Sequence, residues 1–118
     1  MSEKRIFADS LNDILNEINR IFKFINNMTY NEFILDEKTI YAVTRSLEII
    51  GEVTKGIPDD IRNEYSQIPW SKISGMRNKL IHEYFGVDIE TLWNTVENRL
   101  PEIKLPIEEI LNNLDKKH

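Results

Sequence analysis

EKRIFADSLNDILNEINRIFKFINN, residues 3–27, sets Ile6, Phe7, Leu11, Ile14, Ile18, Ile21, Phe22 and Ile25 at spacings of three and four, with polar residues in the gaps. Apolar residues at that period line one face of a 3.6-residue helix. The spacing predicts a long amphipathic helix from about Glu3 to Asn27 with a broad buried stripe. Asn26-Asn27-Met28-Thr29 breaks the pattern and reads as a turn. A stripe of this length needs apolar partners, and the rest of the chain must supply them.

It does so with more helices. Asp36 is placed to cap a second helix, with Glu37 in the first turn and Ile40, Val43, Leu47 and Ile50 on one face, running to about Lys55. Gly56 is a stop, and Pro58 suits the first residue of a short helix to Tyr65. Pro69 precedes a helix opening at Trp70 or Ser71, with Ile73, Met76, Leu80 and Ile81 inward and Gly75 inside it as a sign of close packing. Gly86 falls in a turn after Tyr84. Asp88 is a cap for a helix with Ile89, Leu92, Trp93, Val96 and Leu100. Pro101 and Pro106 are read as dividing this region from a final helix, Ile107 to Leu114. No segment alternates as a strand does, and Phe33-Ile34-Leu35 is too short for a sheet. The prediction is an all-α protein, an antiparallel bundle of four or five helices in a single domain over residues 1–118.

Composition narrows the function. There are no cysteines, which removes disulfides, thiolate metal sites and cysteine nucleophiles. The start lacks the apolar core of a signal peptide, and no apolar run approaches a membrane span, so no membrane partner and a cytoplasmic location are expected. A net charge of -5 argues against a protein that coats nucleic acid by bulk electrostatics. A local phosphate site is compatible with it. From Ser71 to His82 the chain carries Lys72, Arg77 and Lys79 and no acid, which is either such a site or a solvated helix face.

His82 is the only histidine besides the terminal His118. It follows Asn78 by four, on the same helical face, while Arg77 lies about 140° around the helix from it. Two readings of these residues stand. Histidine near a helix end can serve the dipole alone, Arg77 can pair with Glu48 or Glu52, and Tyr84 can be a core-edge residue. Or they form a site. A metal enzyme fits poorly, because the chain lacks a Glu-x-x-His pair on each of two helices, and no metal or cofactor is expected.

The set Ile68-Pro69-Trp70, Ile73, Gly75-Met76-Arg77-Asn78, His82, Tyr84, Val87-Asp88 and Trp93, with Arg45-Ser46-Leu47-Glu48-Ile49-Ile50-Gly51-Glu52 before it, closely resembles the HepT-like toxin family within the wider HEPN group. The resemblance covers nearly the whole chain, and Arg77, four residues and His82 match its Arg-(four to six)-His motif. It implies a homodimeric, metal-independent endoribonuclease, the toxin of a type VII toxin–antitoxin module. A minimal nucleotidyltransferase antitoxin would be its partner, silencing it by adding AMP to a tyrosine. Arg77 and His82 would then be catalytic, Tyr84 the modified residue, and Asn78, Lys79 and Lys72 supporting or RNA-binding. The alternative is a weak or inactive helical partner, or a nucleotide-binding regulator, of the same nucleotidyltransferase.

Overall fold

The computed structural model describes the backbone of residues 3–83 and 89–116, and side chains over 5–76 and 89–114. All described secondary structure is helical: α1 (Glu3–Phe24), α2 (Tyr30–Ile34), α3 (Glu37–Lys55), α4 (Asp59–Glu64), α5 (Trp70–Glu83), α6 (Ile89–Asn94), a π turn (Thr95–Arg99) and α7 (Leu100–Lys116). Four long helices build the bundle, and α2, α4 and α6 are short joints between them. The helix α1 packs on α3 and α7, and α3 packs on α5.

The stripe of α1 does what its period predicts. Phe7, Leu11, Ile14, Ile18 and Ile21 are buried in one cluster with Val43, Leu47 and Ile50 of α3, Trp70 and Ile73 of α5, and Ile103, Ile107 and Ile110 of α7. Ile6 is a correction: it sits a third of a turn behind Phe7, on the edge of the stripe, and is exposed. The helix also stops at Phe24 rather than Asn27. Asn27 takes φ of 60°, the left-handed region that asparagine tolerates better than most residues.

Residues 30–34 form the helix α2, which the apolar run there did not disclose. Its signal is a capping box at Thr29-x-x-Glu32. The Thr29 hydroxyl accepts from the Glu32 N–H at 3.2 Å, and the Glu32 carboxylate accepts from the Thr29 N–H at 2.9 Å. Asp36 caps α3 as expected, accepting from the Thr39 N–H at 3.0 Å. Gly56 closes α3 with φ of -78°, an ordinary right-handed value. Pro58 is the N-cap of α4, with Asp59 its first residue.

The two C-terminal prolines do not divide the chain. The helix α7 begins at Leu100 and runs through Pro106 to Lys116. A proline inside a helix removes one N–H and crowds the carbonyl four residues back, at about 3 kcal/mol. Burial of Ile103, Ile107 and Ile110 on the same helix offsets that cost. Before Pro101 the backbone widens into the π turn, where the Leu100 N–H reaches the Thr95 carbonyl. Gly86 and Asp88 lie outside the described residues.

Candidate functional site

The expected residues lie on or just after α5, so the placement of that helix decides the geometry. Its first residue, Trp70, is buried and packs on Phe7 of α1 with ring centroids 6.3 Å apart. The indole N–H is shared between the carbonyls of Arg62 and Tyr65, at 3.1 Å each. Arg62 is itself anchored: its guanidinium donates to the Thr54 carbonyl at 2.6 Å and the Ile57 carbonyl at 3.0 Å, at the end of α3. These bonds add side-chain donors to carbonyls near the ends of α3 and α4, of which Thr54 and Tyr65 also accept from the backbone N–H groups of Ile57 and Ile68. They join α3, α4 and α5 at one corner. Nothing in the residue pattern marked Arg62 for this role, because all its acceptors are backbone.

Ile73 is buried one turn after Trp70, whereas Ser71, Lys72 and Gly75 are exposed. The register of a regular helix then sorts the remaining positions. Position 77 falls on the side of Trp70 and Ile73, towards the bundle. Positions 78, 79 and 82 fall on the side of Ser71, Lys72 and Gly75. Lys72 is thus a surface cation in register with positions 79 and 82. The side chains of Arg77, Asn78, Lys79 and His82 are outside the description, and Tyr84 lies outside the described residues altogether.

Gly75 is a second correction. A Cβ built there meets nothing within 4 Å. Among the described residues no packing requires glycine at that place, and Gly75 itself is exposed on the outward face of α5. The suggested pairing of Arg77 with Glu48 or Glu52 also meets a competitor. Arg45 holds both carboxylates, Glu48 at 3.2 Å and Glu52 at 3.7 Å.

On the far side of residues 84–88, α6 is fixed by aromatic packing. Trp93 lies against Phe33 with centroids 4.9 Å apart and against Tyr30 at 6.1 Å. The chain carrying Tyr84 therefore runs between two anchored helices, α5 held by Trp70 and α6 held by Trp93. Among the described residues no group of three or more histidines or acids is arranged to hold a metal. No described helix is long and apolar enough to cross a membrane.

Comparison with known proteins places this helix pattern in a family. Residues 14–110 match the sequence profile described as "Ribonuclease HepT-like". The chain belongs to that family. Two proteins of Methanocaldococcus jannaschii, each described as a candidate RNase, are 47% identical over 114 residues; these cover 97% of this chain and 98% and 94% of theirs. A Thermococcus cleftensis protein, described as a candidate ribonuclease HepT, is 44% identical over 107 residues, 91% of this chain and 97% of its own. No solved structure matches the chain significantly. The HepT-like match embraces α5 whole, and with it both motif residues, Arg77 and His82.

Proposed function

We propose that this HepT-like chain is a metal-independent endoribonuclease acting in the cytoplasm as the toxin of a type VII toxin–antitoxin module. The observation that carries the reading is α5. Its open face holds Lys72 and Gly75 in register with positions 78, 79 and 82, and from Ser71 to His82 it bears no acid in a chain of net charge -5.

RNA supplies its own nucleophile, the 2′-hydroxyl. Cleavage needs a proton acceptor, a proton donor and stabilisation of charge on phosphorus. His82 is the acid–base group suited to neutral pH. Arg77 braces the non-bridging phosphate oxygens as negative charge grows there. Asn78 orients His82 or binds phosphate, and Lys79 and Lys72 guide the RNA backbone. One chain offers one such histidine. A two-fold homodimer brings a second His82 and Arg77 to a shared cleft, so that acid and base come from different protomers.

The off-switch in this reading is Tyr84. A nucleotidyltransferase antitoxin transfers AMP from ATP: the phenolic oxygen bonds to the α-phosphorus, the bond to the β-phosphate breaks, pyrophosphate leaves, and the phenolic proton passes to base. The added phosphate competes with RNA phosphate for Arg77 and Lys79, and the adenosine fills the entrance.

Two experiments test this. Cleavage should yield a 2′,3′-cyclic phosphate or its hydrolysis product, and equal cleavage of a substrate with a single 2′-deoxy at the scissile position would refute it. Incubation with the nucleotidyltransferase and ATP should add AMP mass at Tyr84. An unmodified protein, or modification mapped to another tyrosine, would remove Tyr84 from the role.

A further inference from the structure

The joint at Arg62 decides where α5 lies. The helix α4 before it has only six residues, and its N-cap, Pro58, offers no side-chain hydrogen bond. A helix that short does not stand without outside contacts. It is held by burial of Ile57 and Ile61, and by the Arg62 guanidinium on the Thr54 and Ile57 carbonyls at 2.6 and 3.0 Å. The planar guanidinium keeps those two donors at a fixed angle, so the end of α3 dictates the setting of α4.

The setting passes on to α5. The carbonyl of Arg62 accepts the Trp70 indole N–H at 3.1 Å, with the Tyr65 carbonyl as second acceptor. Tyr65 lies in turn on Phe7 of α1, ring centroids 4.7 Å apart. Apolar burial is non-directional: buried Ile73 and half-buried Met76 hold α5 to the bundle, yet leave it free to tilt and turn by small angles. A hydrogen bond is directional. The shared indole N–H at the first residue of α5 fixes both angles.

Small angles matter further along. Position 77 is seven residues, two turns, beyond Trp70 and shares its face; position 82 is twelve residues beyond it, about 18 Å along the axis. A tilt of about 5° at Trp70 moves position 82 by about 1.5 Å, and a turn of about 10° moves a group at the side-chain radius of about 6 Å by about 1 Å. A misplacement of about 1 Å, even from a change far from the chemistry, can slow a reaction ~100-fold.

We propose that Arg62 is a positioning residue for RNA cleavage: through the Trp70 indole it sets the tilt and rotation of α5, and with them the places of positions 77 and 82. It acts through α5 and not on the RNA. This rests on the ribonuclease reading of Arg77 and His82 given above.

The test uses the full chain and one RNA substrate, with thermal midpoints measured alongside. At a temperature where every variant is folded, Arg62→Met should lower kcat about tenfold or more, while binding of the 2′-deoxy substrate changes by less than about twofold. Arg62→Lys, able to keep one of the two carbonyls, should fall between that variant and the parent. Ile107→Val loosens the core at α7 without touching the joint, and should keep the parental kcat despite a lower midpoint. Should Arg62→Met not fold, Arg62→Gln takes its place. Parental kcat in the folded Arg62 variant, an equal loss of kcat in Ile107→Val, or binding weakened as much as kcat would overturn the positioning role. A parent that leaves RNA uncut, or cuts the 2′-deoxy substrate equally, would instead remove the reading beneath it. Amide hydrogen exchange then still decides the joint: in Arg62→Met the α5 amides from 74 to 83 should exchange about tenfold faster while those of α7 do not, and unchanged α5 exchange would overturn it.

Discussion

The indole N–H of Trp70 donates to the carbonyl of Arg62 at 3.1 Å, while the Arg62 side chain holds the Thr54 carbonyl at 2.6 Å. One residue thus bonds the end of α3 with its side chain and the start of α5 with its backbone. Trp70→Phe loses the donor and also shrinks a buried ring, leaving space beside Phe7, and should cost about 2 kcal/mol or more. Arg62→Met leaves two carbonyls without that donor and should cost about 2 kcal/mol. The two losses should not add, since both loosen one joint. Urea denaturation of the single and double variants measures this, and additive losses would show that the two residues act separately.

Acid should weaken the α2–α3 corner first. Hydrogen bonds from the Thr29 and Thr39 backbone N–H groups lower the carboxyl pKa values of Glu32 and Asp36 from 4.5 and 3.8. A folded value below the unfolded one means stability present above the unfolded pKa and lost as pH falls through the folded value. The loss therefore begins near those ordinary values and continues below them. Asp36→Asn keeps a good N-cap without the charge and should flatten this part of the profile. Unchanged pH dependence in that variant, followed by thermal unfolding between about pH 5 and 3, would contradict the assignment.

Glu17 is buried on α1, and one of its oxygens is engaged by Arg20 at 2.9 Å; the other has no hydrogen-bond partner among the described residues. Burial of an unsatisfied carboxylate oxygen opposes folding. Arg20 is largely exposed and loses little if the pair is removed. Glu17→Met should raise stability by about 1 kcal/mol, and a destabilised variant would mean that this carboxylate supports the fold.

Catalysis should separate the two motif residues. His82→Ala removes the proposed acid–base group and should slow RNA cleavage by about 100-fold or more. Arg77→Ala should lower kcat more than it raises KM, as expected for a contact made chiefly in the transition state. Because position 77 shares the bundle side of α5 with buried Ile73, thermal melts must accompany the kinetics. A full-rate His82→Ala enzyme would refute the mechanism.

Much of this architecture is legible in apolar spacing. The α1 stripe and the Asp36 cap can be read directly, because side-chain periodicity and N-cap chemistry are local. The Thr29–Glu32 box is equally local, but the five-residue helix behind it is too short to show a helical period. The role of Arg62 was not legible, since its partners are carbonyls and every residue has one. At the site, His82 stands out by scarcity and Arg77 by its motif spacing. Their separation to different sides of α5 follows from helix geometry, yet only the burial of Trp70 and Ile73 identifies which side faces the bundle.

The π turn before α7 holds one residue more than a regular helical turn needs. Leu92, Val96 and Leu100 are all buried although each follows the last by four. In an unbroken α-helix two successive fours swing the stripe by about 80°. A wider turn holding one surplus residue absorbs that swing, and Leu100 returns to the core in phase with Ile103 and Ile107. The bundle thus carries one residue beyond a regular helical turn, among exposed Glu97, Asn98 and Arg99, while Leu100, Ile103 and Ile107 of α7 stay in the core. Relatives lacking that residue could keep the same core with a regular helix here, so alignment gaps at this point would mark a difference in backbone winding and leave the fold unchanged.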